Sequence, residues 1–410
     1  MKILVLSCRI HSVKYEVFEL STENRKNVEK ELCRGNVSKI GSEFATAYMC
    51  KPNKEPEIDV FPVKDHAAAI EVILKTITAP ETGVITHIKD LDGIGHRVVH
   101  GGDKYTESLL ITDEVKQEIY RNIELTPLHN PFNYNGIEAI EKLCPGIPQV
   151  AVFDTSFHQT MDECAYRYPI AERLYHEHRV RRYGFHGISH RYVLERAAVL
   201  LNKPQDKLSL ISLHLGAGTS ACAIRNGKSV DTTMGFTPLE GLMMSTRSGS
   251  VDPELVFFLH KAGWELSDIR VCLNYESGIL GVSGISGEMK DVVIAMLAGD
   301  KRAKLTVDMY VYQLRKIIGS YFLILKNTDA IVFTAGIGEK SDIIREMVCD
   351  GLEFIGVKID TDANNEANSK EAVISVPDAG IKVLVIPGNE KLLIARDVAN
   401  IISKTEVLAQ

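Results

Sequence analysis

The chain has no apolar run approaching the ~18 residues of a membrane helix, no Pro- or Ser-rich linker, no low-complexity segment and no CxxC pair. It is also short of positive charge: 47 Lys and Arg against 54 Asp and Glu give a formal net charge of -7. Each absence excludes something. Without a long apolar run there is no membrane partner. Without a basic surface there is no general nucleic-acid partner, because a phosphate backbone needs cations. The eight cysteines, at 8, 33, 50, 144, 164, 222, 272 and 349, are scattered, which excludes a disulfide frame or a zinc site and fits reduced thiols. Met1-Lys2 leads straight into an apolar strand and leaves no room for a signal peptide, so the expected location is cytoplasmic. Without a tether, any domain boundary is a hinge between packed halves.

What is present is an ordinary globular composition, 45% hydrophobic and 25% charged, over 410 residues, too many for one core and enough for two or three domains. Strand-like and helix-like segments alternate, which places the chain in the α/β class. Ile3 to Leu6 and Gln149 to Phe153 read as buried strands. Gly93 to His100 reads as a strand running into the Gly101-Gly102 turn. Residues 66–78 have helical spacing, and residues 190–202 form a helix closed by Asn202 and Pro204.

Three bends follow buried strands. The first is Ser7-Cys8-Arg9-Ile10-His11-Ser12, a hairpin bend without the Gly, Asn or Asp such bends favour. The second is HLGAG (214–218), followed by a hairpin signal at Asn226-Gly227. Laid over one another, Ser7 falls on His214 and Arg9-Ile10-His11 on Gly216-Ala217-Gly218, so one strand-bend-strand unit occurs twice. The third, Thr334 to Ser341, is a Gly bend opening a helix over DIIREMVCDGLEFI, a geometry that aims N–H groups at an anion. Its Gly338-Glu339-Lys340-Ser341 ending lacks the GxxxxGK[ST] spacing of a P-loop.

Four polar clusters stand at strand ends or bends: Arg97 to Gly102, Asp154 to His158, Arg181 to His190, and Thr246 to Gly249. Singly, each reads more readily as a salt bridge, a helix cap or a solvated face than as a site. His186 and His190, four apart, suit a metal, but no third ligand is evident. Together, two arginines, an acid, a histidine and several Gly bends describe a phosphoryl-transfer site, which positions anions and neutralises charge.

The motifs GHRVVHGG (95–102), LTPLHNPFN (125–133), VFDTSFHQTM (152–161), RRYGFHGISH (181–190), HLGAG, TRSGSVDP (246–253), FTAGIGEK (333–340) and IPGNEKLLIARD (386–397) resemble those of acetate kinases, in order and across nearly the whole chain. The resemblance implies a duplicated actin-like, ribonuclease H-like two-domain kinase fold with a cleft between the halves. Residues 1–154 with 388–410 would form the first domain, and 155–387 a second that binds nucleotide and forms a homodimer. It implies transfer of the γ-phosphoryl of ATP to acetate, giving acetyl phosphate and ADP, with Mg2+. By similarity Arg97, Asp154, His186 and Arg247 are catalytic. Arg97, Val99, Leu128, His129, Phe185 and Pro238 hold the substrate. Ser12, Lys14, His214, Gly216, Gly218, Glu288, Lys290, Gly336, Ile337 and Gly338 hold the nucleotide, and Glu390 with Ser7 the metal.

The chain departs from the family on the nucleotide side. Its first bend normally reads Asn-x-Gly-Ser-Ser-Ser-x-Lys, and here only Ser12 and Lys14 survive. Ala217 replaces an asparagine, Lys340 ends the third bend, Glu288-Met289-Lys290 stands for Asp-x-Arg, and Ser245 and Ser250 replace a glycine and an aspartate. Alternative expectations are a changed phosphoryl donor, such as pyrophosphate or another nucleotide, and a catalytically impaired ligand-binding relative.

Overall fold

The structure, a computed structural model, describes residues 1–23 and 26–409. It divides into two compact units, residues 1–156 with 389–410, and residues 157–388.

The first unit is built on an eight-stranded sheet of β1 (Lys2–Arg9), β2 (Ser12–Glu23), β3 (Lys26–Ser38), β4 (Ser42–Cys50), β5 (Glu57–Val63), β6 (Gly93–Val98), β7 (Leu109–Leu110) and β8 (Gln149–Phe153). Their order is β5-β4-β3-β2-β1-β6-β8-β7. β1 runs antiparallel to β2 and parallel to β6, and β6 parallel to β8. Side chains alternate across a sheet, and both faces of β1 are used. Leu4, Leu6 and Cys8 enter a core with Ile70, Ile73 and Leu74 of the helix His66–Ile77 and Ile140 of the helix Asn130–Leu143. On the opposite face Ile3 and Val5 lie beside Gly93 and Gly95 under the helix Glu390–Ala409. That helix lies so close that a Cβ on Gly95 would come within 2.6 Å of Ile394 and 2.8 Å of Val398.

The second unit repeats this plan. Strands β9 (Leu210–Leu215), β10 (Thr219–Arg225), β11 (Lys228–Thr232), β12 (Ala330–Thr334), β13 (Ala372–Val373) and β14 (Lys382–Val385) take the order β11-β10-β9-β12-β14-β13. β9 is antiparallel to β10 and parallel to β12, which is parallel to β14. The helix Lys301–Leu325 buries Val307, Tyr310, Leu314 and Ile318 in the core of this sheet. The duplicated α/β architecture is therefore written in the strand order of both units.

The two bends equated in the sequence differ in length. Arg9 is still in register, opposite Ser12, so Ile10 and His11 alone make the first bend. Leu215 pairs with Thr219, leaving three residues, Gly216 to Gly218, in the second. Neither Ile10 nor His11 has a positive φ, which is why this bend needs no glycine or asparagine. Asn226 and Gly227, by contrast, have φ of 49° and 76°, as a type I′ turn requires. Two helices depart from expectation. The one expected over 190–202 is Gly187–Leu200, because His186 takes a left-handed φ of 58° and starts it early. The third bend is itself the short helix Ala335–Lys340. Ser341 then caps Asp342–Cys349, which stops short of Leu352 to Ile355 as Gly351 turns left-handed at φ 69°.

Candidate functional site

In the first unit, the C-terminal ends of β1, β6 and β8 project polar side chains where the apolar cover of the C-terminal helix stops. Arg97 closes β6. Its Nε donates to Asp154 Oδ1 at 3.0 Å and its Nη2 to Asp154 Oδ2. Asp154 is buried, and burial pushes its carboxyl up against the opposing pull of Arg97. Burial alone would lower the Arg97 guanidinium, but the charge and hydrogen bonds of Asp154, helped by Glu390, leave it raised. The planar fork thus holds Arg97 in one orientation. Arg9 stands near enough to Arg97, Asp154 and Glu390 to feel all three charges. Lys14, across from Ser7, feels Arg9, Arg97 and Lys391.

Backbone around this cluster is fixed by the helix Asn130–Leu143, with His129 at its N-cap. Asn133 Oδ1 accepts the Val99 N–H at 3.0 Å, and its Nδ2 donates to the Cys8 carbonyl at 2.9 Å. Asn130 Oδ1 accepts the His100 N–H at 3.1 Å. Val99 is buried, while Leu128 and His129 are half-buried. Among the described residues no three His, Cys, Asp or Glu side chains gather as a metal cage. Magnesium does not need one, since it keeps waters and takes one or two carboxylates plus substrate phosphate. Glu390, in the first turn of its helix and felt electrostatically by Arg97 and Asp154, fits that pattern.

In the second unit, three histidines and an arginine surround the Gly216–Gly218 bend. His186 stacks on His214 with centroids 4.1 Å apart. Its Nδ1 is 2.9 Å from Ser220 Oγ, which is also 2.9 Å from His190 Nε2. His190 Nδ1 reaches Ser212 Oγ at 2.8 Å, and His214 Nδ1 reaches Ser189 Oγ at 2.8 Å. Burial holds His190 well below the ordinary histidine value, so it is neutral at pH 7. One hydroxyl proton on Ser220 serves only one ring, so the proton positions of His186 and His190 are linked. The His186–His190 pair noted as a metal spacing is spent on this chain.

A Cβ at Gly218 would lie 3.1 Å from His186 Nε2 and 3.6 Å from Arg247 Nη1. The bend, the imidazole and the guanidinium therefore converge. Arg247 Nη1 touches the Pro238 carbonyl at 3.3 Å and Met244 Sδ at 3.6 Å. Burial lowers this guanidinium, with only Tyr275 opposing. Its loop is clasped on both sides: Ser245 N–H donates to the Ala217 carbonyl at 3.2 Å, and Ser250 Oγ accepts the Gly241 N–H at 3.0 Å. The Ser250 hydroxyl thus serves the loop backbone, whereas Ser245 contributes through its main chain. Gly216 approaches Ala335, where a Cβ would stand 3.4 Å from the Ala335 Cβ, so the second and third bends adjoin.

Several candidates are more loosely placed. Glu288 and Lys290, at the start of the helix Met289–Leu297, are exposed, with Gly287 against Ser245 and Thr246. Phe185 is buried beside His186 in the chain. Gly336, Ile337 and Gly338 lie in the short helix. Sequence reasoning missed Ser220, Asn133 and Arg345. The buried Arg345 donates to the Gly338 carbonyl at 2.9 Å and Asn364 Oδ1 at 2.7 Å, tying down the third bend. Only Ser220 had a signal, its place in a strand directly after a Gly bend.

Cationic and imidazole groups at strand ends and bends, with Arg247 lacking a carboxylate partner among the described residues, suit the binding of anions and the transfer of phosphoryl groups. The model of the Acetokinase family matches residues 2–396. The chain is 47% identical over 405 residues to an acetate kinase from Desulfitobacterium hafniense, covering 98% of this chain and all of that protein. The crystal structure of Porphyromonas gingivalis acetate kinase superposes with a TM-score of 0.93 at 42% identity, covering 98% of this chain and 99% of that one. A propionate kinase from Francisella tularensis gives 0.88 at 35%, covering 97% and 99%. The chain belongs to the acetokinase family.

Proposed function

We propose that this protein is an acetate kinase, catalysing ATP + acetate ⇌ ADP + acetyl phosphate by direct in-line transfer. Acetate is ionised at neutral pH, since carboxyl groups titrate near ~4. Its oxygen therefore attacks the γ-phosphorus without a base. The new O–P bond forms as the bond to the leaving ADP oxygen breaks, and no proton moves.

The task of the protein is to hold anions and neutralise charge. Arg97, oriented by Asp154, takes the carboxylate. Arg247 and His186 stabilise the moving phosphoryl group. Val99, Leu128, His129, Phe185 and Pro238 are the residues assigned to the acyl group. Ser12, Lys14, His214, Gly216, Gly218, Glu288, Lys290, Gly336, Ile337 and Gly338 take the nucleotide. Glu390 and the Ser7 hydroxyl would hold the magnesium ion, which would neutralise phosphate charge when bound. The observation that carries this reading is the meeting of His186 and Arg247 at Gly218, with no carboxylate paired to Arg247 among the described residues.

A hydroxamate assay with acetate, magnesium and separately ATP, GTP and pyrophosphate tests it. Turnover with ATP supports the reading, and a folded protein that turns over none of the three defeats it. Propionate should also react, more slowly, because an apolar pocket separates one methylene by only about 1–3 kcal/mol. The second unit exposes Phe257 and Phe258 side by side at 64% and 65%. Exposed apolar residues of this size favour association, so a homodimer is the expected state in light scattering. Among the described residues, no helix is long and apolar enough to cross a membrane.

A further inference from the structure

The face of the first sheet that carries Arg97 also carries two cations that the surrounding ion pairs leave over. Residues directly opposite in an antiparallel pair share a face. Arg9 is opposite Ser12 and Ser7 opposite Lys14, so two hydroxyls and two cations stand together on the β1–β2 ribbon. Arg97 is committed to Asp154, and Lys391 to Glu16. Among the described residues, neither the Arg9 guanidinium nor the Lys14 ammonium has a hydrogen-bond or ion-pair partner.

We propose that Arg9 is a specificity-determining residue whose guanidinium, together with Lys14, binds the terminal phosphoryl group of the phosphoryl donor. The inference rests on the acetate-kinase reading and adds a side chain that does the work of a glycine bend.

The ribbon tip is held in place for this. The Arg9 carbonyl accepts from His66 Nε2 at 2.7 Å, and the His11 carbonyl accepts the Ile40 N–H at 3.1 Å. The two-residue bend keeps Arg9 in the strand, with its side chain on the side of Ser7 and Lys14. In the second unit the equivalent bend is longer and glycine-rich, and offers backbone instead. The cations also repel one another. Partial desolvation first and then Arg97 lower the Arg9 guanidinium, while partial desolvation first and then Arg9 lower the Lys14 ammonium, although both side chains reach solvent. A phosphoryl dianion relieves that repulsion, and a planar guanidinium meets two of its oxygens at once. A monocarboxylate supplies half the charge and is already served by Arg97.

The test uses full-length protein, Arg9→Ala and Arg9→Lys. Isothermal titration with inorganic tripolyphosphate, in EDTA, reads phosphate binding without metal or turnover. Loss of a charged hydrogen bond predicts about 10- to 100-fold weaker binding for Arg9→Ala, with partial recovery in Arg9→Lys. The KM for ATP should rise in parallel, and the KM for acetate should stay within about twofold, being served by Arg97. Equal tripolyphosphate binding by Arg9→Ala and wild type overturns the proposal. So does a rise in the acetate KM alone, or no tripolyphosphate binding by the wild-type protein. A wild-type protein that binds tripolyphosphate through Arg9 yet makes no acetyl phosphate would defeat the acetate-kinase reading and leave Arg9 as a phosphate ligand.

Discussion

Asp154 and Arg97 are each placed by the other, and that makes the aspartate more than a neighbour of the chemistry. Asp154→Asn keeps the size of the side chain but removes the charge that offsets a largely buried guanidinium. Breaking a buried pair by removing one partner costs about 3–5 kcal/mol, and Arg97, about a fifth exposed, belongs at the lower end of that range. The expected result is a loss of about 3 kcal/mol in urea unfolding. With Arg97 free to swing, kcat should fall about 100-fold, as misplacement of about an ångström can cost. Ser220 makes a different point. Ser220→Ala removes the hydroxyl joining His186 to His190 without touching the proposed substrate contacts. It should lower kcat about tenfold with KM nearly unchanged, the pattern of an interaction made in the transition state. It should also shift the pH profile of kcat, because the proton positions of the two rings are no longer linked. A pH profile unchanged in shape would reduce Ser220 to a packing role.

At the scale of elements, the helix Asn130–Leu143 is the brace of the first unit. Asn133 reaches the backbone of both β1 and the segment after β6 through one amide. Asn133→Ala leaves a buried N–H on Val99 and a buried carbonyl on Cys8 unsatisfied, which should cost about 2–4 kcal/mol at roughly 1–3 per group less partial relaxation. Chemical denaturation measures it, and the acetate KM should rise with it because Val99 loses its anchor. This brace also shows what sequence could and could not reveal. The strands Gln149–Phe153 and Ala330–Thr334 were legible as buried apolar runs between turn residues. The Asn226-Gly227 hairpin was legible because that turn demands positive φ at both positions. The start of the helix at Gly187 was not, because it depends on His186 adopting a left-handed conformation that no local rule favours. Nor was the short helix at Ala335, where two glycines suggested an open bend. Arg97 and Asp154 stood out as polar residues at strand ends, and His186 and Arg247 as polar residues at Gly-rich bends, whereas Ser220 and Asn133 act through residues 30 or more positions away.

At the scale of the whole molecule, the two units share a plan and also a weakness toward acid. Each buries a neutral histidine: His96 in the first, bonded to Gln149 at 2.8 Å, and His158 in the second, between Ser229 and the Phe185 carbonyl. Burial depresses both from the ordinary 6.5 to about 4. The unfolded chain takes up these protons below pH 6.5, while the folded chain resists until about pH 4. Stability therefore rises with pH across that window, is fully present above it, and is lost as pH falls through it. Each histidine contributes about 1.4 kcal/mol per pH unit at most to the stability of its own unit. His190, also held well below the ordinary value by burial, adds to the second unit's share. Denaturation midpoints between pH 7 and 4 measure the slope. His96→Gln should flatten it by about one proton while leaving the second unit's transition in place, because the titrating groups of the two units are distinct residues in separate cores. A slope unchanged by that substitution would mean that His96 is already neutral in the unfolded chain, or protonated in the folded one, and the acid sensitivity would then have to be sought among the carboxylates.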